Sequence, residues 1–202
     1  MPTRAVILQH GEKDRTPGDP GLTARGRRQA DDAAHAISAL APVALLSSPL
    51  RRAIQTATPL SELCALPLRI DPRLRERMNL EHGEDVERFT RNWARTSTDR
   101  AWAPPQGRSS ARTAQDMLEA LDDAAVQDGT IVAAGHGGAT VDLLRDLLGD
   151  IALEECAPGL IEHGVPGGAI TTLERAGGRW VPVAIASTAH IAASDRSGHA
   201  PA

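Results

Sequence analysis

The sequence predicts an α/β fold: a three-layer sandwich whose mainly parallel central sheet carries helices on both faces. Three observations lead there. Short apolar runs that stop at Gly- or Ser-containing turns (Arg4–Gln9, Pro42–Ser47 and 130–134) have the length and composition of buried strands. Between them lie stretches with apolar residues at three- and four-residue spacing, the pattern of helices buried on one face. Alternation of the two calls for crossover connections, and so for parallel strand pairs. With no internal repeat and no dividing linker, the 202 residues make a single domain over 1–192. The small, polar residues 193–202 are expected to be a disordered tail.

The strand Arg4–Gln9 is closed by His10-Gly11, and Gly18-Asp19-Pro20-Gly21 is a turn cluster. Thr23 then caps a helix with the stripe Ala30, Ala33, Ala34, Ile37 and Leu40. Pro42–Ser47 is the second strand. Leu50, Ala53, Ile54, Ala57 and Leu60 form the next helical stripe, which Pro59 is expected to kink or break. Residues 70–110 are less patterned, with an amphipathic helix over 84–95 and a loop through Pro104-Pro105. Ser110 caps a helix buried through Ala111, Ala114, Met117, Leu118 and Leu121. The strand at 130–134 runs into Gly135-His136-Gly137-Gly138, and a Leu-rich helix over 141–148 is closed by Gly149. Segments 169–174 and 180–186, joined by Ala176-Gly177-Gly178, make a hairpin.

Composition narrows the functional classes. Hydrophobic residues at 41% and charged residues at 24% are globular values. With one Phe, three Trp and no Tyr, the chain lacks the stacking platforms that single-stranded nucleic acid requires. A net charge of −4 also argues against a nucleic-acid partner. The apolar run after Arg4 is too short for a signal peptide or membrane span, so no membrane partner and a cytoplasmic location are expected. Cys64 and Cys156 have no CxxC or His-rich companion, so two small buried thiols are expected, not a disulfide or zinc site. Neither a metal nor another cofactor is called for.

Chemistry is expected at three strand ends. His10 and His136 each follow an apolar strand and precede Gly, and in an open parallel sheet ligands bind beyond the carboxyl ends of strands. Ser47-Ser48-Pro49-Leu50-Arg51-Arg52-Ala53 is a third such junction, bringing guanidinium groups and a helix N-terminus to the same edge. Arg presents a planar fork of donors and the helix end adds unpaired N–H groups, a combination suited to phosphate oxygens.

These residues also resemble a known family, the histidine phosphatase superfamily or phosphoglycerate-mutase-like group. Gln9-His10-Gly11-Glu12 is similar to its Arg-His-Gly-Glu signature with one change. Gly21-Leu22-Thr23-Ala24-Arg25-Gly26 resembles its LTxxG helix start, and Ser48-Pro49-Leu50-Arg51-Arg52-Ala53-Ile54-Gln55-Thr56-Ala57 its SPLxRAxQTA segment. Leu74-Arg75-Glu76 resembles the segment holding its acidic residue, and Gly135-His136-Gly137-Gly138 its second-histidine motif. Pro105-Gln106-Gly107-Arg108-Ser109 is a weaker match to PxGES, with Arg108 in place of Glu.

The resemblance implies a phosphoglycerate-mutase-like fold and a metal-independent hydrolysis of a small-molecule phosphate ester through phosphohistidine. By it His10 is the nucleophile, Arg52 and His136 stabilise the phosphoryl oxygens, and Glu76 is the general acid and base. Gln9, Gly11, Thr23, Arg51, Ser109 and Gly137 are the accompanying phosphate or substrate contacts. Lys13, Asp14, Arg15, Thr16, Asn79 and Arg108 are candidates to face the rest of the substrate. His82, His163 and His190 are expected at the surface or rim, and His35 in a structural role.

The departure is Gln9, where the family carries an arginine. Loss of that charge in a dry site would cost about 2–4 kcal/mol of transition-state stabilisation, on the order of 10²–10³ in rate. Compensation by the substrate or Arg51, a slow enzyme, and a phosphate-binding pseudophosphatase without turnover all remain open at this point. A phosphoglycerate-type mutase is a further alternative, less favoured because the chain is compact. The oligomeric state is open too, since Trp93, Trp102 and the Leu-rich helices suit either a core or a homodimer interface.

Overall fold

The computed structural model describes residues 3–125 and 128–196. Six strands form one sheet in the order β3-β2-β4-β1-β5-β6, with β1 Arg4–Gln9, β2 Pro42–Ser47, β3 Leu68–Ile70, β4 Thr130–Gly135, β5 Ile170–Ala176 and β6 Arg179–Ser187. The pairs β1–β4, β4–β2 and β2–β3 are parallel, whereas β5 runs antiparallel to β1 and to β6. The sheet is therefore mixed. Its parallel part has the expected crossovers, and its antiparallel edge is the expected hairpin.

Alternation along β1 builds both layers. Ala5 and Ile7 pack with Met117 and Leu121 of α4 (Ser110–Ala124) and Leu143 of α5 (Gly137–Leu148). Val6 and Leu8 pack on the opposite face with Ala33 and Ile37 of α1 (Ala24–Ser38) and Ala57 and Leu60 of α2 (Arg51–Cys64). Each of these residues is essentially inaccessible to solvent, so truncating one of the Leu or Ile side chains to Ala costs roughly 2–5 kcal/mol. Around this frame lie α3 (Val86–Thr98), α6 (Asp150–Cys156) and α7 (Leu160–His163). No helix among the described residues is long and apolar enough to cross a membrane.

Several expectations are corrected. Pro59 does not break its helix: α2 continues to Cys64, with Ala57 and Leu60 buried on either side of the proline. Leu40 falls beyond the end of α1 and is partly exposed. The cap of α4 is Ser109, not Ser110, since its hydroxyl accepts the Arg112 N–H at 3.1 Å. The thiols are not buried: Cys64 is half-buried and Cys156 exposed. The tail expected from 193 begins inside ordered structure. Ala193–Asp195 form a 3₁₀ turn, and Asp195 is buried against Arg28 with contacts of 2.6 and 2.8 Å. Residues 197–202 lie outside the described residues.

Candidate active site

Strand register brings the two histidines together. Gln9 of β1 is paired with Gly135 of β4, and the His10 N–H donates to the Gly135 carbonyl at 3.1 Å. The residues that follow, His10 and His136, therefore leave the sheet side by side, with ring centroids 5.3 Å apart in an edge-on arrangement. The third strand end arrives through β2, where the Ser48 N–H donates to the Ala134 carbonyl.

Both imidazoles are fixed by hydrogen bonds. A carbonyl can only accept, so the 2.8 Å contact between His10 Nδ1 and the Gly11 oxygen places the proton on Nδ1 and leaves Nε2 bare. Burial first, then the charge of Arg52, brings the His10 pKa down to about 3, so the ring is neutral across the physiological range. His136 is fully buried, and its Nε2 lies 2.7 Å from Ser48 Oγ. The Ser48 oxygen also accepts the Leu50 N–H at 3.3 Å, which fixes the hydroxyl against the imidazole. The His136 Nδ1 is buried with no hydrogen-bond partner among the described residues. Burial and the neighbouring Arg52 push the His136 pKa well below its ordinary value.

Arg52 enters from the first turn of α2 and is only 3% exposed. Its Nη2 donates to Asn79 Oδ1 at 3.2 Å, while Nε and Nη1 have no hydrogen-bond partner among the described residues. Asp19 stands 3.9 Å from Nη1, close enough to soften the charge but not to occupy the donor. Asp19 instead accepts the Arg51 N–H, capping a helix whose own cap residue, Leu50, has no side-chain oxygen to offer. Arg51 is exposed and Arg52 buried, which resolves the choice between them as the inward-facing guanidinium.

Glu76 approaches from the loop after the 3₁₀ turn Pro72–Leu74. Its Oε1 accepts the Arg77 N–H and its Oε2 the Gly138 N–H in the first turn of α5, each at 2.9 Å. Burial nevertheless raises its pKa, outweighing the cation of Arg77. A Cβ on Gly138 would lie 2.7 Å from both Glu76 Oε1 and Trp93 Cη2, so glycine is required for this approach. Trp93 is in turn fixed by the Arg77 guanidinium, 3.9 Å from its ring centroid. Arg77 is itself locked by Asp142 at 2.8 Å and Ser97 at 2.8 Å.

The remaining expected contacts divide. Gln9 is buried beside Gly137, and its Oε1 has no hydrogen-bond partner among the described residues. Gly11 donates its N–H to Thr56 Oγ1 at 3.0 Å, and its missing side chain lets α1 approach: a Cβ there would lie 2.3 Å from the Gly26 oxygen. Thr23 is committed elsewhere, accepting the Gly26 N–H as the cap of α1 and donating to Glu12 Oε1 at 2.8 Å. Ser109 is likewise a helix cap. Arg108 pairs with Asp116. Lys13 is within electrostatic reach of both Arg52 and His10, and burial together with the Arg52 charge lowers its pKa. Ser48, Asp19 and Thr56 support the site without having been singled out individually in the sequence, and so does Trp93, which the sequence marked only for a core or an interface.

A cavity of about 330 Å³ opens next to Glu76, lined by Arg75, Asn79, Glu81, Gln106 and Arg108 among others. A larger depression of about 680 Å³ on α6 and α7 contains none of the site residues, and its Asp150, Glu154, Glu155 and Glu162 would repel a phosphate. The site thus combines a neutral bare imidazole nitrogen on His10, unpartnered guanidinium donors on Arg52, an unpartnered Nδ1 on His136 and a carboxyl group with a raised pKa. Such a set can accept a phosphoryl group and exchange a proton with its leaving oxygen.

Comparison with known proteins agrees with this geometry. The sequence profile of the histidine phosphatase superfamily (branch 1) matches residues 6–188. The glucosyl-3-phosphoglycerate phosphatase of Mycolicibacterium vanbaalenii is 31% identical over 72% of this chain and 74% of its own. A probable phosphoglycerate mutase of Proteus mirabilis is 31% identical over 72% and 75%. Among solved structures, mycobacterial glucosyl-3-phosphoglycerate phosphatase bound to inorganic phosphate superposes with a TM-score of 0.75 at 28% identity, covering 94% of this chain and all of the other.

Proposed function

The chain belongs to the histidine phosphatase superfamily, and we propose that it hydrolyses a small-molecule phosphate monoester through a phosphohistidine on His10. The carrying observation is the hydrogen bond from His10 Nδ1 to the Gly11 oxygen, which leaves Nε2 unprotonated near the unpartnered guanidinium donors of Arg52 and the unpartnered Nδ1 of His136.

In the first step His10 Nε2 attacks phosphorus as the ester P–O bond breaks. The proton of Glu76 passes to the departing alkoxide, whose oxygen keeps the bonding pair. Arg52 Nε and Nη1 and His136 Nδ1–H hold the equatorial oxygens, where charge accumulates. In the second step Glu76, now a carboxylate, takes a proton from water as the water oxygen attacks phosphorus and the N–P bond breaks. Inorganic phosphate leaves and both groups return to their starting states. Superfamily phosphatases need no metal, because the cationic and N–H donors carry the neutralisation. Trp93 and the Arg77–Asp142 pair hold Glu76 in place.

At position 9 the amide brings no charge, and Arg51 is exposed. Lys13, within reach of Arg52 and His10, supplies part of the missing positive potential. Hydrolysis is favoured over binding without turnover because two backbone N–H groups hold the Glu76 carboxyl group at the site, where a pocket that only binds phosphate would have no use for it.

A screen of phosphate monoesters with released phosphate as readout tests this reading. Turnover that His10→Ala abolishes is expected; hydrolysis surviving that substitution overturns the mechanism.

A further inference from the structure

Gln29 lies on the buried face of α1 beside Ala30 and Ala33 and is inaccessible to solvent. A buried amide is tolerated where both of its ends find partners. Here Oε1 accepts the Glu12 N–H and Nε2 donates to the Asp195 carbonyl, each at 2.7 Å. A carbonyl can only accept, so this second bond sets which way the amide points. Asp195 is itself anchored to α1 through its two bonds to Arg28, and the Ala192 N–H donates to Asp32 at 3.0 Å.

The Glu12 N–H and the Gly11 carbonyl are opposite edges of one peptide plane. Gln29 holds the first edge, and the second receives the His10 Nδ1 proton at 2.8 Å. The C-terminal segment reaches the nucleophile by another route as well. His190 Nε2 donates to the Gly168 carbonyl at 3.0 Å, and the Gly168 N–H donates to the His10 carbonyl at 3.1 Å. A Cβ on Gly168 would lie 3.0 Å from Gln29 Cβ and 3.1 Å from Ile191 Cδ1, so the two routes are packed against each other.

We infer that Gln29, anchored by the Asp195 carbonyl, is a positioning residue that fixes the 11–12 peptide and thereby keeps the His10 proton on Nδ1 and Nε2 free to attack. The inference rests on the phosphatase reading and deepens it. As Nε2 attacks phosphorus, positive charge grows on the ring and its Nδ1–H becomes a stronger donor. The Gly11 oxygen is then a better acceptor because its own peptide N–H is already engaged by Gln29. The effect belongs to the transition state, so it falls on kcat and leaves ground-state binding by Arg52 alone.

The test uses Gln29→Met, which keeps the volume and removes both hydrogen bonds, and Gln29→Glu, whose buried carboxyl retains a proton and so can make both. Nitrogen NMR of His10 reads the tautomer directly, calorimetry with inorganic phosphate reads the binding site, and steady-state kinetics separate kcat from KM. In the native protein His10 should be protonated on Nδ1 alone. Gln29→Met should populate both tautomers and lower kcat by roughly ten- to a hundredfold, the usual cost of losing a group that orients a reacting one. KM and phosphate affinity should be unchanged, and Gln29→Glu should restore tautomer and rate. Should Gln29→Met fail to fold, Asp195→Ala, which frees the anchor without touching the buried amide, is read in the same way. A tautomer that stays on Nδ1 without the amide or its anchor overturns the inference. So does a loss of rate matched by an equal loss of phosphate affinity, since that is general loosening of the fold. A tautomer that responds as expected in a protein that hydrolyses no ester upholds the role of Gln29 and overturns the phosphatase reading.

Discussion

Glu76 and Gly138 meet through a 2.9 Å hydrogen bond from the glycine N–H to Oε2, at a point where no side chain fits. Gly138→Ala puts a methyl group against both the carboxylate and Trp93. The substitution lies in the first turn of a helix, where alanine is otherwise welcome. It should lower kcat by about a hundredfold through misplacement of the acid, with a stability loss of only about 1–3 kcal/mol from overpacking. Steady-state kinetics together with thermal unfolding check this; unchanged kcat would remove Glu76 from the chemistry.

The pH profile follows from two opposite shifts. His10 must be neutral to attack, and its pKa near 3 keeps it so at every working pH above that value. Glu76 must be protonated to release the alkoxide, so kcat/KM falls as pH rises through its raised pKa. Glu76→Gln should lower the rate by roughly 10²–10⁴ and erase this alkaline limb. Running both proteins on the same ester cancels the ester's own ionisation. An alkaline limb that persists unchanged in the glutamine variant contradicts the assignment.

Gln9→Arg restores the charge that the signature otherwise carries. The expected gain in kcat/KM is on the order of 10²–10³, less whatever Lys13 already supplies. Lys13→Gln should therefore cost more in the native background than in the Gln9→Arg background, which a double-mutant cycle measures. An unchanged or lower rate in Gln9→Arg would show that no deficit exists at position 9.

Asp142 is fully buried and its charge is balanced by Arg77, with Ser110 Oγ donating to it at 2.6 Å. Arg77→Met leaves the carboxylate uncompensated and should destabilise the fold by about 3–5 kcal/mol, whereas removing both charges with Arg77→Met and Asp142→Leu should recover most of that. Denaturant unfolding of the two variants decides it.

What the sequence revealed and what it hid have physical reasons. His10, Arg52 and His136 were visible because each sits where an apolar run stops, and strand register alone then brings two of them together. The three-residue β3 and the short α6 and α7 were not, since none is long enough for a period to show. Trp93 was hidden because its role arises from contacts with residues far along the chain, Gly138 among them. Thr23 and Ser109 matched motif positions, but local hydrogen bonds commit both hydroxyls to capping helices. The helix expected over 141–148 starts earlier, since His136 is its cap and Gly137 and Gly138 form the first turn of α5.

The most direct test of the account is rapid acid-free quenching during turnover of a hydrolysed ester, followed by mapping of the phosphorylated residue. A phosphoryl group on His10, lost in acid, stable in base and absent from His10→Ala, is the predicted result. A phosphoryl group on any other residue, or turnover by the His10→Ala protein, would contradict it.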